Sequence, residues 1–276
     1  LENARHYGRM KDGWNAVSSD KYDDIDGFNP CAEQGLRHGE LCCLVETFPA
    51  NHESAEEYFD TLKYAFLYAK TVTLVATHSP LTNQVMLQNR RIGLSMSGIQ
   101  QAIKKFTFGE FFTKFCDKGY EKVRHWDRIY SRWLGIPTSI KVTTVKPSGS
   151  VSLLAGATPG VHCTHAPFYL RTIRMPAHDP MVIKLLNAGY RIELESREKD
   201  RIKKAGLEGE LLLTAGVHAS PGFVTFGELG GSVVVYFPVQ EKNFTKSKFE
   251  ISLWEQLCLA RELQDKWSDN SVSVTV

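Results

Sequence analysis

Asn29-Pro30-Cys31-Ala32-Glu33 sets a thiol two residues from a carboxylate, and a second thiol, Cys42, follows eleven residues after the first. Sulfur can exchange single electrons, a carboxylate can take up a proton, and the Asn29 amide can hydrogen-bond hydroxyl groups. The Asn-Pro step disfavours helix and leaves an extended or turn conformation. Residues two apart at an extended tip project to the same side. One loop apex is therefore expected to hold Cys31 and Glu33 together. The ordinary alternative is a small apolar cysteine beside a solvated acid, and spacing alone does not choose between them.

A second candidate is Pro147-Ser148-Gly149-Ser150, with Lys146 before it. It lacks the Gly-x-x-x-x-Gly-Lys phosphate-loop pattern, yet a small turn opening a helix offers backbone N–H groups to phosphate oxygens. The same tetrapeptide is also an ordinary turn. His162-Cys163-Thr164-His165, His38 and the Cys42-Cys43 pair lack the paired spacing of structural metal sites, so no metal is expected. Cys116 and Cys258 fall in helical patterns and are expected in the core. Arg171 and Arg174 are read as surface groups or partners in ion pairs between elements.

The elements that must hold these residues follow from hydrophobic spacing. The first thirty residues are polar and turn-rich, with Gly8, Gly13 and Gly27 and an acidic cluster at Asp20, Asp23, Asp24 and Asp26, and read as loop. Ser54 and Glu57 have capping-box spacing, and Tyr58, Phe59, Leu62, Ala65, Phe66 and Ala69 then share one helical face. Residues 89–105 read as a helix, residues 109–134 as a long amphipathic helix ended by Gly135 and Pro137, and residues 140–145 as a strand running into the Pro147 turn, with another element starting over 151–154. Pro180 after Asp179 opens a helix over 181–188; Gly189 breaks it and 190–194 turns extended. The charged stretch 197–209 reads as solvated surface, and the apolar run 233–237 as a strand covered on both faces, which favours an α/β core. A last helix over 252–266 presents either Leu253, Leu257, Ala260 and Leu263 or Trp254, Leu257, Cys258 and Arg261 inward, before an alternating strand over 271–276. No repeat or linker interrupts the pattern, so residues 1–276 are expected to form a single domain fragment without a second domain.

With 42% hydrophobic and 23% charged residues in 276, the chain can bury a full core, which excludes disordered and collagen-like classes. A formal charge of +2 leaves no broad footprint for nucleic acid or an acidic membrane, so an anion must be bound locally. No apolar stretch approaches bilayer length, the longest being fragments such as 72–76 and 233–237. Six unevenly spaced cysteines suit a reducing compartment, the cytoplasm by default. The missing initiator Met and leader, and an end inside a strand, lead us to expect a segment of a longer protein.

The motifs resemble one family throughout. Asn29 to Glu33, then Glu40-Leu41-Cys42-Cys43-Leu44-Val45-Glu46-Thr47, Asn89-Arg90-Arg91-Ile92-Gly93, Thr143 to Ser152, Thr158-Pro159-Gly160-Val161-His162, and Trp267-Ser268-Asp269-Asn270 with Val272-Ser273 resemble ribonucleotide reductases in the same order. The short Cys31–Cys42 interval and the Lys-Pro-Ser-Gly run are most similar to the monomeric, adenosylcobalamin-dependent (class II) ribonucleoside-triphosphate reductases. This resemblance implies the later part of a ten-stranded α/β barrel of two five-stranded halves, with a finger loop at about residues 25–45. It implies that Cys31 carries a thiyl radical that removes the ribose 3′ hydrogen, that Glu33 takes the 3′ hydroxyl proton, and that Asn29 orients the sugar. Cys42 would be one of two reducing thiols, its partner lying on a strand upstream of Leu1; Cys43, where the family often has Asn, is structural. Pro147, Ser148, Gly149 and Ser150 become the substrate phosphate cradle, and His162 lines the nucleotide pocket. Implied partners are a ribonucleoside triphosphate, a thioredoxin-like dithiol and a deoxynucleotide effector bound mostly outside this segment. The other readings are a diphosphate reductase fed by a radical-generating subunit, and a non-catalytic nucleotide-binding relic.

Overall fold

The computed structural model describes residues 23–197, 200, 231–241, 244 and 246–275; the start of the expected N-terminal loop and nearly all of the charged run from 198 to 209 lie outside them. Although the sequence reading set no internal boundary, contacts divide the chain into two compact units, Leu1–Ala166 with Asn243–Val276, and Pro167–Lys242. Among the described residues, no helix is long and apolar enough to cross a membrane.

The first unit opens with a short antiparallel hairpin, β1 (Gly27–Phe28) and β2 (Gly35–Leu36). Next, β3 (Leu44–Thr47) leads into α1 (Ala55–Val72), whose Tyr58, Leu62, Phe66 and Ala69 are buried as the spacing predicts. Ser54 caps α1 by accepting the Glu57 N–H at 3.2 Å. The Glu57 carboxylate turns instead to the Glu53 N–H, so only half of the capping box forms. Lys70, also buried on this helix, pairs with Asp127 at 2.7 Å.

Residues 89–105 do not form the expected helix. A helix that the sequence reading missed, α2 (Pro80–Asn89), has the Ser79 cap and a first-position proline; it stops at Arg90, which is left-handed with φ 46°. The chain then becomes β4 (Gly93–Met96), every residue of it buried, and only after Gly98 does α3 (Ile99–Phe106) begin. Tertiary pairing overrides local propensity here. β4 lies parallel to β3 in register, Glu46 opposite Ser95. On its other edge, extended chain at 140–145 accepts the Ile92 and Leu94 N–H groups through Lys141 and Val142, and Thr144 donates back to Leu94. Val145 in turn pairs in parallel with Val272. Four extended segments thus run side by side in parallel, with helical crossovers of the kind such connections require.

The long helix exists, with an irregularity: it starts at Phe108–Glu110, widens into a π-helical stretch at Phe111–Lys118, and continues as α4 (Gly119–Leu134) to a left-handed Gly135. Its Phe111, Phe112 and Phe115 are buried in the same core as α1. The C-terminal helix (Leu253–Lys266) carries a complete capping box of Ser252 and Glu255. Its buried residues are Leu259 and Leu263, a one-turn stripe against the π-helical stretch; Leu263 belongs to the first predicted face, and Leu259 to neither. Leu253, Trp254 and Leu257 are exposed, and Cys258, expected in the core, is exposed too.

The second unit is a three-stranded antiparallel sheet of β5 (Phe168–Pro176), β6 (Arg191–Leu194) and β7 (Ser232–Gln240), ordered β5-β7-β6, with the helix Pro180–Asn187 capped by Asp179. The run 233–237 lies in β7, but only Val233 and Val235 are buried, on the face that meets Val182 and Ile192. Alternation, not coverage on both faces, is the rule for an antiparallel sheet of this kind.

Candidate active site

Of the two conformations the Asn-Pro step allows, the turn is the one present. The Ala32 N–H closes onto the Asn29 carbonyl at 2.8 Å, with Pro30 at the second position, where its fixed φ is favoured. The Asn29 side-chain oxygen accepts the Gln34 N–H at 3.0 Å, and Ala32 takes φ 57°, a left-handed conformation in which its Cβ is strained. Because the tip is a turn, the two-residue alternation of an extended chain does not govern it. Cys31 stays partly exposed, whereas Glu33 comes back into the protein and is fully buried. The Glu33 carbonyl accepts the Thr144 hydroxyl at 2.8 Å and the Ser271 N–H at 2.9 Å, tying the tip to two segments of the parallel sheet.

The Glu33 carboxyl is left facing a polar pocket. Neither oxygen has a hydrogen bond, and the nearest cation, Lys146 Nζ, stands at 3.5 Å. Cys42 Sγ accepts the Asn29 side-chain N–H at 3.4 Å. Burial and then the negative charge of Glu33 push the Cys42 thiol up to about 11, against the opposing pull of Lys146 and Asn29. Cys42 is consequently held as S–H near neutral pH and can give up a proton together with an electron. Glu46, one strand in, takes a hydrogen bond from Ser95 Oγ at 3.2 Å. Burial pushes its carboxyl up to about 7, with Ser97, Ser95 and Lys146 acting in the other direction.

The Pro147–Ser150 turn shares this pocket. Ser148 Oγ is 2.7 Å from Ser97 Oγ, the Gly160 N–H donates to Ser97 Oγ at 2.7 Å, and the Lys146 N–H donates to Ser95 Oγ at 2.9 Å. Gly149, with φ 57°, leads into the short helix Ser150–Leu154. Gly160 must be glycine: φ is 53°, and a Cβ there would stand 2.6 Å from the Lys146 carbonyl oxygen. The structure thus brings Asn29, Glu33, Cys42, Lys146 and Ser148 to one place. His162 lies two residues beyond Gly160, but its own chain engages the ring: Nδ1 is 3.2 Å from the Pro159 carbonyl, and Nε2 accepts the Thr275 N–H at 3.2 Å. Cys43 and Cys116 are buried, and the six cysteines are free thiols. Arg174 pairs with Glu195 at 2.9 Å, and Arg171 is partly buried.

Glu46, Ser95 and Ser97 are site residues that the sequence reading did not single out. Glu46 stood inside a quoted motif. Ser95 and Ser97 share a face only on a strand, and the helix expected over 89–105 would have put them on different faces.

A charged cluster holds the base of the hairpin. Fully buried Arg91 forks between Asp23, ahead of β1, at 3.0 Å through Nη1 with a second contact through Nη2, and Glu40, beyond β2, at 3.1 Å. Lys141 reaches Asp23 at 3.2 Å. Asn270 donates to the Thr143 and Ile92 carbonyls at 2.8 and 3.1 Å, the Trp267 indole donates to the Thr144 carbonyl at 2.9 Å, and Asp269 accepts from Tyr120 at 2.6 Å. The last quoted motif is therefore a set of bolts across the sheet.

No protein-family model matches the chain. It is 45% identical over its whole length to a probable adenosylcobalamin-dependent ribonucleoside-triphosphate reductase of Dictyostelium discoideum, and 40% identical to an adenosylcobalamin-dependent ribonucleoside-triphosphate reductase of Euglena gracilis. It covers 32% and 33% of those proteins, so the chain spans about a third of the length of the curated relatives it matches. Among solved structures, a B12-dependent (class II) ribonucleotide reductase superposes with a TM-score of 0.72 and 29% identity, covering 99% of this chain and 37% of that one. In sequence and in fold, from one end to the other, the chain is thus a relative of the adenosylcobalamin-dependent, class II ribonucleotide reductases and corresponds to one third of such a protein.

Proposed function

We propose that this chain is the part of a ribonucleoside-triphosphate reductase that holds the sugar and the substrate phosphates, and that the whole protein converts ribonucleoside triphosphates into 2′-deoxyribonucleoside triphosphates. The observation that carries the reading is the Glu33 carboxyl, fully buried with both oxygens unbonded, beside the Lys146 ammonium and the Cys42 thiol. Buried polar groups are nearly always paired. A buried carboxyl left open awaits a ligand's donor, and a ribose hydroxyl is such a donor.

In this reading the Cys31 sulfur, as a radical, takes the hydrogen from the ribose 3′ carbon. Glu33 takes the proton of the 3′ hydroxyl, the 2′ hydroxyl leaves as water, and Asn29 orients the sugar. Cys42 and a second thiol outside this segment supply two electrons and two protons and end as a disulfide, which a thioredoxin-like dithiol reduces again. Asn29, already bonded to Cys42, keeps that sulfur at the hydroxyl edge. Pro147, Ser148, Gly149 and Ser150 take the phosphates, with Lys146 offsetting their charge. His162 can add its ring face only, since both ring nitrogens are engaged. The parallel sheet and the hairpin are read as the later part of the ten-stranded barrel and its finger loop, and the protein as acting in the cytoplasm.

The residues present fit adenosylcobalamin through one feature: the Cys31 sulfur is at a turn apex and partly exposed, so a cofactor can reach it from outside. Bound adenosylcobalamin supplies the one-electron oxidation that leaves the radical on that sulfur. No residue here is assigned to holding its cobalt.

The test uses the full-length protein. Cys31→Ser should abolish nucleotide reduction with an unchanged melting profile, as the swap is small in volume. Glu33→Gln should cut kcat sharply and leave triphosphate binding measurable. Substantial turnover by Cys31→Ser, or unchanged kcat in Glu33→Gln, would overturn the reading.

A further inference from the structure

Gln34, the residue after Glu33, is fully buried, and neither polar atom of its side-chain amide has a hydrogen bond. Its main chain is fully paired with Asn29: the Gln34 N–H donates to the Asn29 side-chain oxygen at 3.0 Å, and the Gln34 carbonyl accepts the Asn29 N–H at 3.0 Å. The turn therefore fixes where the side chain starts, and a glycine fixes where it ends. A Cβ on Gly93 would stand 2.5 Å from Gln34 Nε2, 2.5 Å from Leu44 Cδ2 and 3.0 Å from Thr144 Cγ2. Contacts that short do not occur in a packed interior, so the amide fills the space that a side chain at position 93 would need. Leu44 lies two residues before Glu46 on β3, and Gly93 two before Ser95 on β4. Ser95 donates to Glu46 at 3.2 Å, so these four positions share one face of the sheet. Lys146, two residues after Thr144, reaches Glu33 at 3.5 Å. The Gln34 amide thus lies on the sheet face that carries the pocket, next in sequence to the open Glu33 carboxyl.

Two consecutive buried side chains are left open here, and they differ in what they can bond. A carboxylate accepts only, whereas an amide donates at one end and accepts at the other. We propose that Gln34 is a further substrate-binding residue, whose amide holds the ribose 2′ oxygen beside the 3′ hydroxyl that Glu33 serves. The 2′ group is the one that changes during the reaction, a hydroxyl in the substrate and water once it has left. Both are donor and acceptor together, so one amide fits both, donating to the oxygen and accepting its hydrogen. A second carboxylate in that place would offer no donor and would set a like charge beside Glu33. The inference rests on the reading of Glu33 as the acceptor of the 3′ hydroxyl proton and adds to it the group that reads the neighbouring carbon.

The test is displacement of a labelled ribonucleoside triphosphate from the full-length protein by the same ribonucleotide and by its 2′-deoxy and 3′-deoxy forms, without adenosylcobalamin so that nothing turns over. Following the label confines the measurement to the substrate site, even where a deoxynucleotide also fills the effector site. Wild type should hold each deoxy form roughly tenfold more weakly than the ribonucleotide, the effect of one missing hydrogen bond to a buried group. Gln34→Met keeps most of the side-chain volume and removes the amide. That variant should hold the ribonucleotide and the 2′-deoxy form alike and still discriminate against the 3′-deoxy form. A 2′ preference that survives Gln34→Met, no such preference in wild type, or an equal weakening of all three ligands, which a packing role predicts, would overturn the proposal. Should Gln34→Met fail to fold, Gln34→Asn, which draws the amide back by one methylene, is measured instead, and an undiminished 2′ preference there overturns it. Equal affinity of wild type for the ribonucleotide and the 3′-deoxy form would count against the Glu33 reading, whereas a 2′ preference that depends on Gln34 would still stand.

Discussion

Replacing Arg91 by methionine keeps most of the side-chain volume and removes the fork that joins the two feet of the Cys31 hairpin. Arg91 and Asp23 are fully buried and Glu40 nearly so; without the guanidinium, Asp23 keeps Lys141 at 3.2 Å, while Glu40 keeps the neutral Arg37 N–H and Asn89 side-chain N–H at 2.8 and 3.1 Å. Removing one partner from a buried ion pair typically costs about 3–5 kcal/mol, because the partner's charge stays behind in a poorly solvating site. That is a large part of the roughly 5–15 kcal/mol that holds a whole domain together. The cost should be local. The feet diverge, and with them the Asp26 N–H to Leu36 carbonyl bond of 2.9 Å and the Asn29 N–H to Gln34 carbonyl bond of 3.0 Å. Amide hydrogen exchange in the full-length protein reads this directly, and at about 1.4 kcal/mol per tenfold these two amides should exchange faster by roughly two to more than three orders of magnitude. Adding Asp23→Asn to Arg91→Met should recover part of the protection, since it removes one stranded charge. A change below about fivefold, roughly 1 kcal/mol, would mean that water already solvates the cluster, and the clamp would then be an exposed ion pair of small worth.

Two further predictions concern the pocket. Alkylation of Cys42 in the full-length protein, followed by mass spectrometry against pH, should rise only toward about 11; Glu33→Gln removes one of the two main causes that lift this thiol, so its curve should move to lower pH, and an unmoved curve would place Glu33 too far away to act on Cys42. Gly160→Ala puts a Cβ 2.6 Å from the Lys146 carbonyl oxygen at φ 53°, so it should cost about 2–4 kcal/mol in strain and overlap and raise the KM for triphosphate by displacing the Ser148 turn. Wild-type thermal stability and KM in that variant would refute it.

Much of the candidate site was legible because its chemistry is local. Asn29, Cys31, Glu33 and the Pro147–Ser150 turn each announce themselves by residue type within five positions, and the resemblance carried by those motifs agrees with the relatives found over the whole chain. Helices with a cap and a clear stripe, α1 above all, were legible for the same reason. The helix wrongly expected over 89–105 shows the limit. Gly93-Leu94-Ser95-Met96 has no local preference strong enough to exclude either state, and it becomes a strand because two extended neighbours from distant parts of the chain offer it hydrogen bonds. The C-terminal helix shows the same limit in another form. Its apolar residues surround the axis, so only the neighbour it meets decides that Leu259 and Leu263 face inward while Trp254 and Cys258 do not.

Residue order alone determined which reactive groups sit on one turn, where the capped helices begin, and which reductase family the motifs resemble. Tertiary structure alone decided that Glu33 is buried with both carboxyl oxygens unbonded, that Arg91 closes the hairpin between Asp23 and Glu40, and that Ser97 meets Ser148 across the sheet edge. The physical reason is one of range. Turn and cap preferences are settled within a few residues, whereas burial, ion pairing and hydrogen bonds between distant segments depend on groups that only the folded sheet brings within bonding distance.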